Sequence, residues 1–185
     1  AVELPLEALV PPRVRFVARR VVSSAPDAEG PRTLVLYPKV SLQDGAHAHN
    51  PWLQELPDPI TKVTWGNYAC LSPALAEREG LSDGDLVRLS VEGRTEGIEL
   101  PVCVQRGQHD GIVAVALGYG RAGTDRFASV GPDWIGADPT VRTGERLGVN
   151  VAPFLELVKG HVRSDVLSVR IARAEGRRQL ARTQD

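Results

Sequence analysis

The chain has 185 residues, 42% hydrophobic and 24% charged, the make-up of a globular protein with one large domain or two small ones. Its 22 basic and 23 acidic residues leave a net charge of -1, which argues against nucleic acid as the main partner. No apolar run approaches the roughly 18 residues of a membrane span, so direct membrane insertion is not expected. Two cysteines, Cys70 and Cys103, cannot build a disulfide scaffold.

In chain order, Val14 to Val22 alternates faces and is a predicted strand, and Ser23 to Arg32 follows as a loop carrying Pro26, Gly30 and Pro31. Thr33 to Val40 is a second predicted strand, with Pro38 marking its end or an edge. Ser41 to Pro59 is long and irregular and holds His47, His49 and Trp52; loops of this length are commonly functional. Thr61 to Tyr68 reads as extended. A helix is well marked next: Ser72 caps it, Pro73 fills its first position and Gly80 stops it.

Strands are then predicted over Leu86 to Val91, Ile98 to Gln105 and Ile112 to Leu117, joined at Gly93 and at Gln108-His109-Asp110-Gly111. Gly118 to Gly148 is again irregular, Val151 to Lys159 is a helix or a strand, and Val166 to Ala172 is a last strand. The whole chain reads as a single domain with a polar tail over 173–185. The absence of Met, and an Ala1-Val2-Glu3-Leu4-Pro5 start without signal-peptide features, suggest a piece cut from a longer protein. Short Val-rich strands, Gly turns and two long loops imply a mostly β barrel whose loops could gather a ligand.

Gly118-Tyr119-Gly120-Arg121-Ala122-Gly123 matches a G-x-G-x-x-G pattern after a predicted strand. A dinucleotide fingerprint needs a helix directly behind it, and Thr124 to Pro132 has no helical period. A looser role remains, in which loop N–H groups and the Arg121 guanidinium approach a phosphate, beside the plainer one of a barrel corner. The four histidines and two cysteines lack zinc-site spacing, no G-x-S-x-G occurs, and neither metal ligands nor catalytic residues are assigned. Trp52, Trp65, Tyr68, Tyr119 and Trp134 flank the irregular stretches, where aromatics line ligand sites or plug loops onto a barrel.

The ordered set WGNYACLSPALAEREGLSDGDLVRLSVEG, IELPVCVQRGQHDGIVAVALGYGR and GVNVAPF resembles the C-terminal dinucleotide-binding domain of the molybdopterin oxidoreductase family. The resemblance implies a six-stranded double-psi β-barrel with one or two short helices. It also implies a domain that caps molybdopterin guanine dinucleotide in the full-length protein and is inactive alone. The positions it marks are His49, Trp65, Asn67, Gly120, Arg121 and Asn150.

A narrower likeness, carried by HNPWLQELPDPITKVTWGNYACLSP and ALGYGR, is to the molybdopterin-oxidoreductase-like iron–sulfur subunit of bacterial quinol-oxidising membrane complexes (alternative complex III). It implies as partners the remaining domains of the parent chain and iron–sulfur, cytochrome and membrane subunits on the periplasmic face. It also supplies an alternative, a cofactor-free structural domain of an electron-transfer subunit. Cofactor-binding relatives carry a Thr-Gly-Arg-like segment followed by His and Thr. Here Leu36-Tyr37-Pro38-Lys39 and Ala46-His47-Ala48-His49-Asn50 stand instead. Self-processing decarboxylases of this barrel type need a Gly-Ser pair, which the sequence lacks.

Overall fold

The structure, a computed structural model, describes residues 30–124, 144, 146–164 and 167–182. The predicted strand over Val14 to Val22 and Trp134 lie outside the described residues. The elements, in order, are β1 (Arg32–Tyr37), α1 (Pro51–Glu55), β2 (Ala69–Leu71), α2 (Pro73–Arg78), β3 (Asp85–Val91), β4 (Ile98–Val104) and β5 (Ile112–Ala116). A 3-10 turn (Ala152–Phe154), the hairpin β6 (Glu156–Val158) and β7 (His161–Arg163), and β8 (Leu167–Arg177) complete them.

Six strands close into a barrel in the order β1-β5-β2-β4-β3-β8. β1 runs parallel to β5 and β2 parallel to β4, while the other neighbours are antiparallel. Period-2 alternation decides the inside. Leu34 and Leu36 of β1, Val87, Leu89 and Val91 of β3, Val113 and Val115 of β5 and Val169 of β8 share one buried cluster. Ala69 and Leu71 of β2 join it, which turns Cys70 to the outer face.

The expected α2 boundaries are reproduced closely. Ser72 Oγ accepts from Leu75 N at 3.0 Å, Pro73 opens the helix, and Gly80 takes φ +64 just beyond its end. Leu75 and Ala76 then press into the barrel cluster. Three expected elements differ. Ser41 to Pro59 contains α1, capped by Asn50 Oδ1 accepting from Trp52 N and Leu53 N. Val151 to Lys159 divides into the 3-10 turn and β6 because Pro153 suits the first turn of a helix but not its continuation. β8 runs on to Arg177, five residues past Ala172, because β3 supplies its ladder and Arg177 Nε reaches the buried Asp85 carboxylate at 3.0 Å.

Beyond β8 the chain folds back along the outer face of β2 and β4. Arg178 N donates to Gly84 O at 2.8 Å, and Thr64 N donates to Ala181 O at 2.7 Å. Arg182 forms an isolated bridge with Val63 and pairs with Asp83 at 3.0 Å.

Candidate functional site

Loops 42–50, 117–124 and 146–151 meet at one end of the barrel, and glycine makes the meeting possible. Gly118 has φ +97, and a Cβ there would lie 2.9 Å from Gly45 N. Gly120 has φ +80, and a Cβ there would lie 2.7 Å from Asn150 Cα. Its N–H donates to Leu147 O at 2.7 Å. The G-x-G pattern thus lets three loops pack backbone on backbone.

Asn67 locks this contact from below. Its Nδ2 donates to Ala116 O at 3.1 Å and Val149 O at 2.9 Å, and its Oδ1 accepts from Val149 N at 2.9 Å. One buried amide therefore ties the end of β5 to the 146–151 loop.

The six marked positions fall into two groups. Asn67 is buried with its amide engaged within the fold, Gly120 is buried between loops, and Trp65 is half-buried against the Leu42, Ala116, Tyr119 and Leu147 cluster. Trp65 adopts φ +46, a backbone conformation rare for a bulky side chain. Arg121, Asn150 and His49 are exposed. The Arg121 guanidinium lies across Gly45, where a Cβ would sit 2.7 Å from Nη2, and it has no ion pair among the described residues. Asn150 Oδ1 accepts from Ala152 N at 3.0 Å, while its exposed side chain's Nδ2 has no hydrogen-bond partner among the described residues. No hydrogen bond or ion pair joins His49 to the other five among the described residues.

Two residues that the sequence does not mark as site positions belong here. Arg146 is exposed and its Nη1 donates to Gly120 O at 3.4 Å, adding a second guanidinium beside Arg121. Its place in an irregular stretch carried no periodic signal. The other is Lys39, which is 3% exposed. A tight turn, with Gln43 N donating to Lys39 O at 2.7 Å, turns it inward. Its Nζ donates to Tyr119 Oη at 3.1 Å and Val63 O at 3.3 Å, and stands 5.5 Å from the Tyr68 ring centre and 5.6 Å from that of Tyr119. Burial lowers its pKa below that of an ordinary lysine, and the Asp58 carboxylate opposes the shift. Burial likewise raises the Tyr68 and Tyr119 hydroxyls. Tyr68 Oη lies 2.5 Å from Thr61 Oγ1.

Two cavities flank this region. The one beside Trp65, Asn67 and Gly148 holds about 20 Å³, the space of a single water. The other holds about 220 Å³ and is lined by Tyr37, Lys39, Asp58, Cys70 and Gln105. A ligand as large as a dinucleotide would therefore lie across the loop surface. There Arg121, Arg146 and the Asn150 amide offer donors suited to phosphate and to heterocyclic carbonyl or ring nitrogen acceptors. The donor set fits a pterin dinucleotide at Arg121 and Asn150, and does not fit it at Asn67 or Lys39, whose polar groups are already engaged.

No known family profile matches the chain, and no curated protein matches it. Among solved structures, acetylene hydratase from Pelobacter acetylenicus matches with a TM-score of 0.52 and 15% identity, over 79% of this chain and 19% of that enzyme. The chain spans about a fifth of that enzyme's length. The likeness is one of fold.

Proposed function

We propose that this chain is the cofactor-capping C-terminal domain of a molybdopterin-type oxidoreductase, closing over molybdopterin guanine dinucleotide and catalysing nothing alone. The observation that carries it is the exposed Arg121 guanidinium, held over Gly45 without an ion pair among the described residues, one residue from Gly120, which packs on exposed Asn150. Arg121 and Arg146 would hold phosphate and Asn150 the pterin, with His49 as a further contact. The bound group would supply the redox chemistry, and the barrel would supply binding and orientation. We read the barrel as the double-psi type, on the strength of its two parallel pairs, β1–β5 and β2–β4, within a six-stranded ring.

Molybdenum and pterin analysis of the intact parent protein tests this reading. Stoichiometric pterin, lost with Arg121→Ala while the fold persists, is expected. A clean preparation with neither molybdenum nor pterin would overturn it.

A second reading has its own support. Lys39 stands where cofactor-binding relatives carry a Thr-Gly-Arg-like segment, and its amino group is enclosed by Tyr68 and Tyr119. Asn67, too, has its amide engaged internally. A cofactor-free barrel that packs iron–sulfur and membrane-anchored subunits of a quinol-oxidising complex accounts for both. In that case Asn150→Ala leaves electron transfer by the assembled complex intact, and a large loss of activity without disassembly counts against it.

A further inference from the structure

Cys70 and Cys103 are direct register partners on the parallel strands β2 and β4. Neighbouring strands stand about 4.7–4.9 Å apart, and residues in register present their side chains to the same face. A disulfide spans Cα separations of about 4.4–6.8 Å, so the two backbones already stand at bridging distance. Both side chains lie on the outer face of the barrel in one cluster with Val63 and Tyr68, and both are free thiols.

Their surroundings differ in a way that assigns roles. Arg182 Nη2 lies 3.6 Å from Cys103 Sγ. That guanidinium, together with a hydrogen bond from the Cys70 thiol, lowers the pKa of Cys103, the hydrogen bond acting most strongly. The Cys70 thiol keeps its proton: hydrogen bonding to Cys103 and burial both raise its pKa, and Gln105 Oε1 offers a second acceptor at 3.3 Å. Both thiols are buried, each about 1% exposed, so an oxidant must reach them from the neighbouring space. The 220 Å³ cavity touches Cys70, and Arg182 lines a cleft of about 430 Å³ with Asp83 and Leu180.

We propose that Cys70 and Cys103 are a reversible dithiol–disulfide pair that takes two electrons' worth of oxidation from a hydroperoxide. The Cys103 thiolate attacks one peroxide oxygen. The O–O bond breaks, Cys103 becomes a sulfenic acid, and the departing hydroxide takes a proton and leaves as water. The Cys70 thiol then attacks the Cys103 sulfur. The S–S bond forms, the S–O bond breaks, and the second hydroxide leaves as water with the Cys70 proton. Two thiols and one hydrogen peroxide give one disulfide and two waters. The bridge would tie β2 to β4 beneath the 178–182 segment and displace the Arg182 contact with Cys103.

The experiment is peroxide titration of the folded protein, at concentrations that leave its circular dichroism native, followed by denaturing alkylation and intact mass. Loss of both alkylatable thiols without added oxygen, restored by dithiothreitol, is expected. With Cys70→Ser, oxidation stops at a sulfenic acid on Cys103 that dimedone traps. With Cys103→Ser, Cys70 reacts at least roughly tenfold more slowly, because burial holds its thiol protonated and the Arg182 guanidinium stands against position 103 instead. Two thiols that still alkylate fully after peroxide would overturn the proposal. So would a disulfide-linked dimer on non-reducing electrophoresis, or equal dimedone labelling of the two variants.

Discussion

Gly120→Ala isolates the contact that joins the 117–124 and 146–151 loops. Two costs arise together. Alanine at φ +80 is strained by roughly 1–2 kcal/mol. Its Cβ would also meet the backbone of Asn150, 2.7 Å from Cα, and no rotamer can relieve a collision with backbone. Overpacking of this kind costs roughly 1–3 kcal/mol. The expected destabilisation is therefore about 3 kcal/mol, which lowers Tm by roughly 6–12 °C in a chain of this size.

Gly80→Ala is the matched control. It carries φ +64 with open space around its Cβ, so it should lose only the conformational part, roughly 1–2 kcal/mol. Urea and thermal unfolding of both variants give the comparison. Equal losses would refute the reasoning, because the excess at Gly120 is the loop–loop contact itself.

Two further outcomes follow from the buried polar groups. Asn67→Ala leaves Val149 N, Val149 O and Ala116 O without their partner, and should cost roughly 3 kcal/mol in urea unfolding; a loss below about 1 kcal/mol would contradict the central place given to that amide. Stability should also fall with pH above about 10, where tyrosines of the unfolded chain ionise while Tyr68 and Tyr119 hold their protons in the fold, their pKa values being raised chiefly by burial. Each contributes up to about 1.4 kcal/mol per pH unit. Replacing both by Phe should make the alkaline limb of a urea-midpoint profile shallower, with Tyr37, also raised by burial, keeping part of the slope; an unchanged limb would show that other groups govern it.

Most of the barrel was legible because its signals are local. Alternation in Leu86 to Val91 and Ile112 to Leu117 is written residue by residue, and so are the Ser72 cap and the Gly80 stop. The candidate site was less legible. Arg121 and Asn150 were marked and do stand at one end of the barrel beside Gly120. Asn67 and Gly120 were marked too, but the fold uses them to hold loops together, a role that depends on partners about 30 to 80 positions away. Lys39 and Arg146 were missed because a lysine beside a proline and an arginine in a Gly-rich stretch look like surface residues until the loops close.

The sequence by itself determined the elements that need only near neighbours: short β-branched strands, one capped helix, and the glycines where the chain must turn. Only the tertiary structure decided which strands pair, because parallel partners such as β1 and β5 lie far apart in the chain and are selected by the barrel's closure. Closure also decided the chemistry. It sent Lys39 between two tyrosines and set Cys70 opposite Cys103, and it left the Arg121 guanidinium uncovered at the barrel's end.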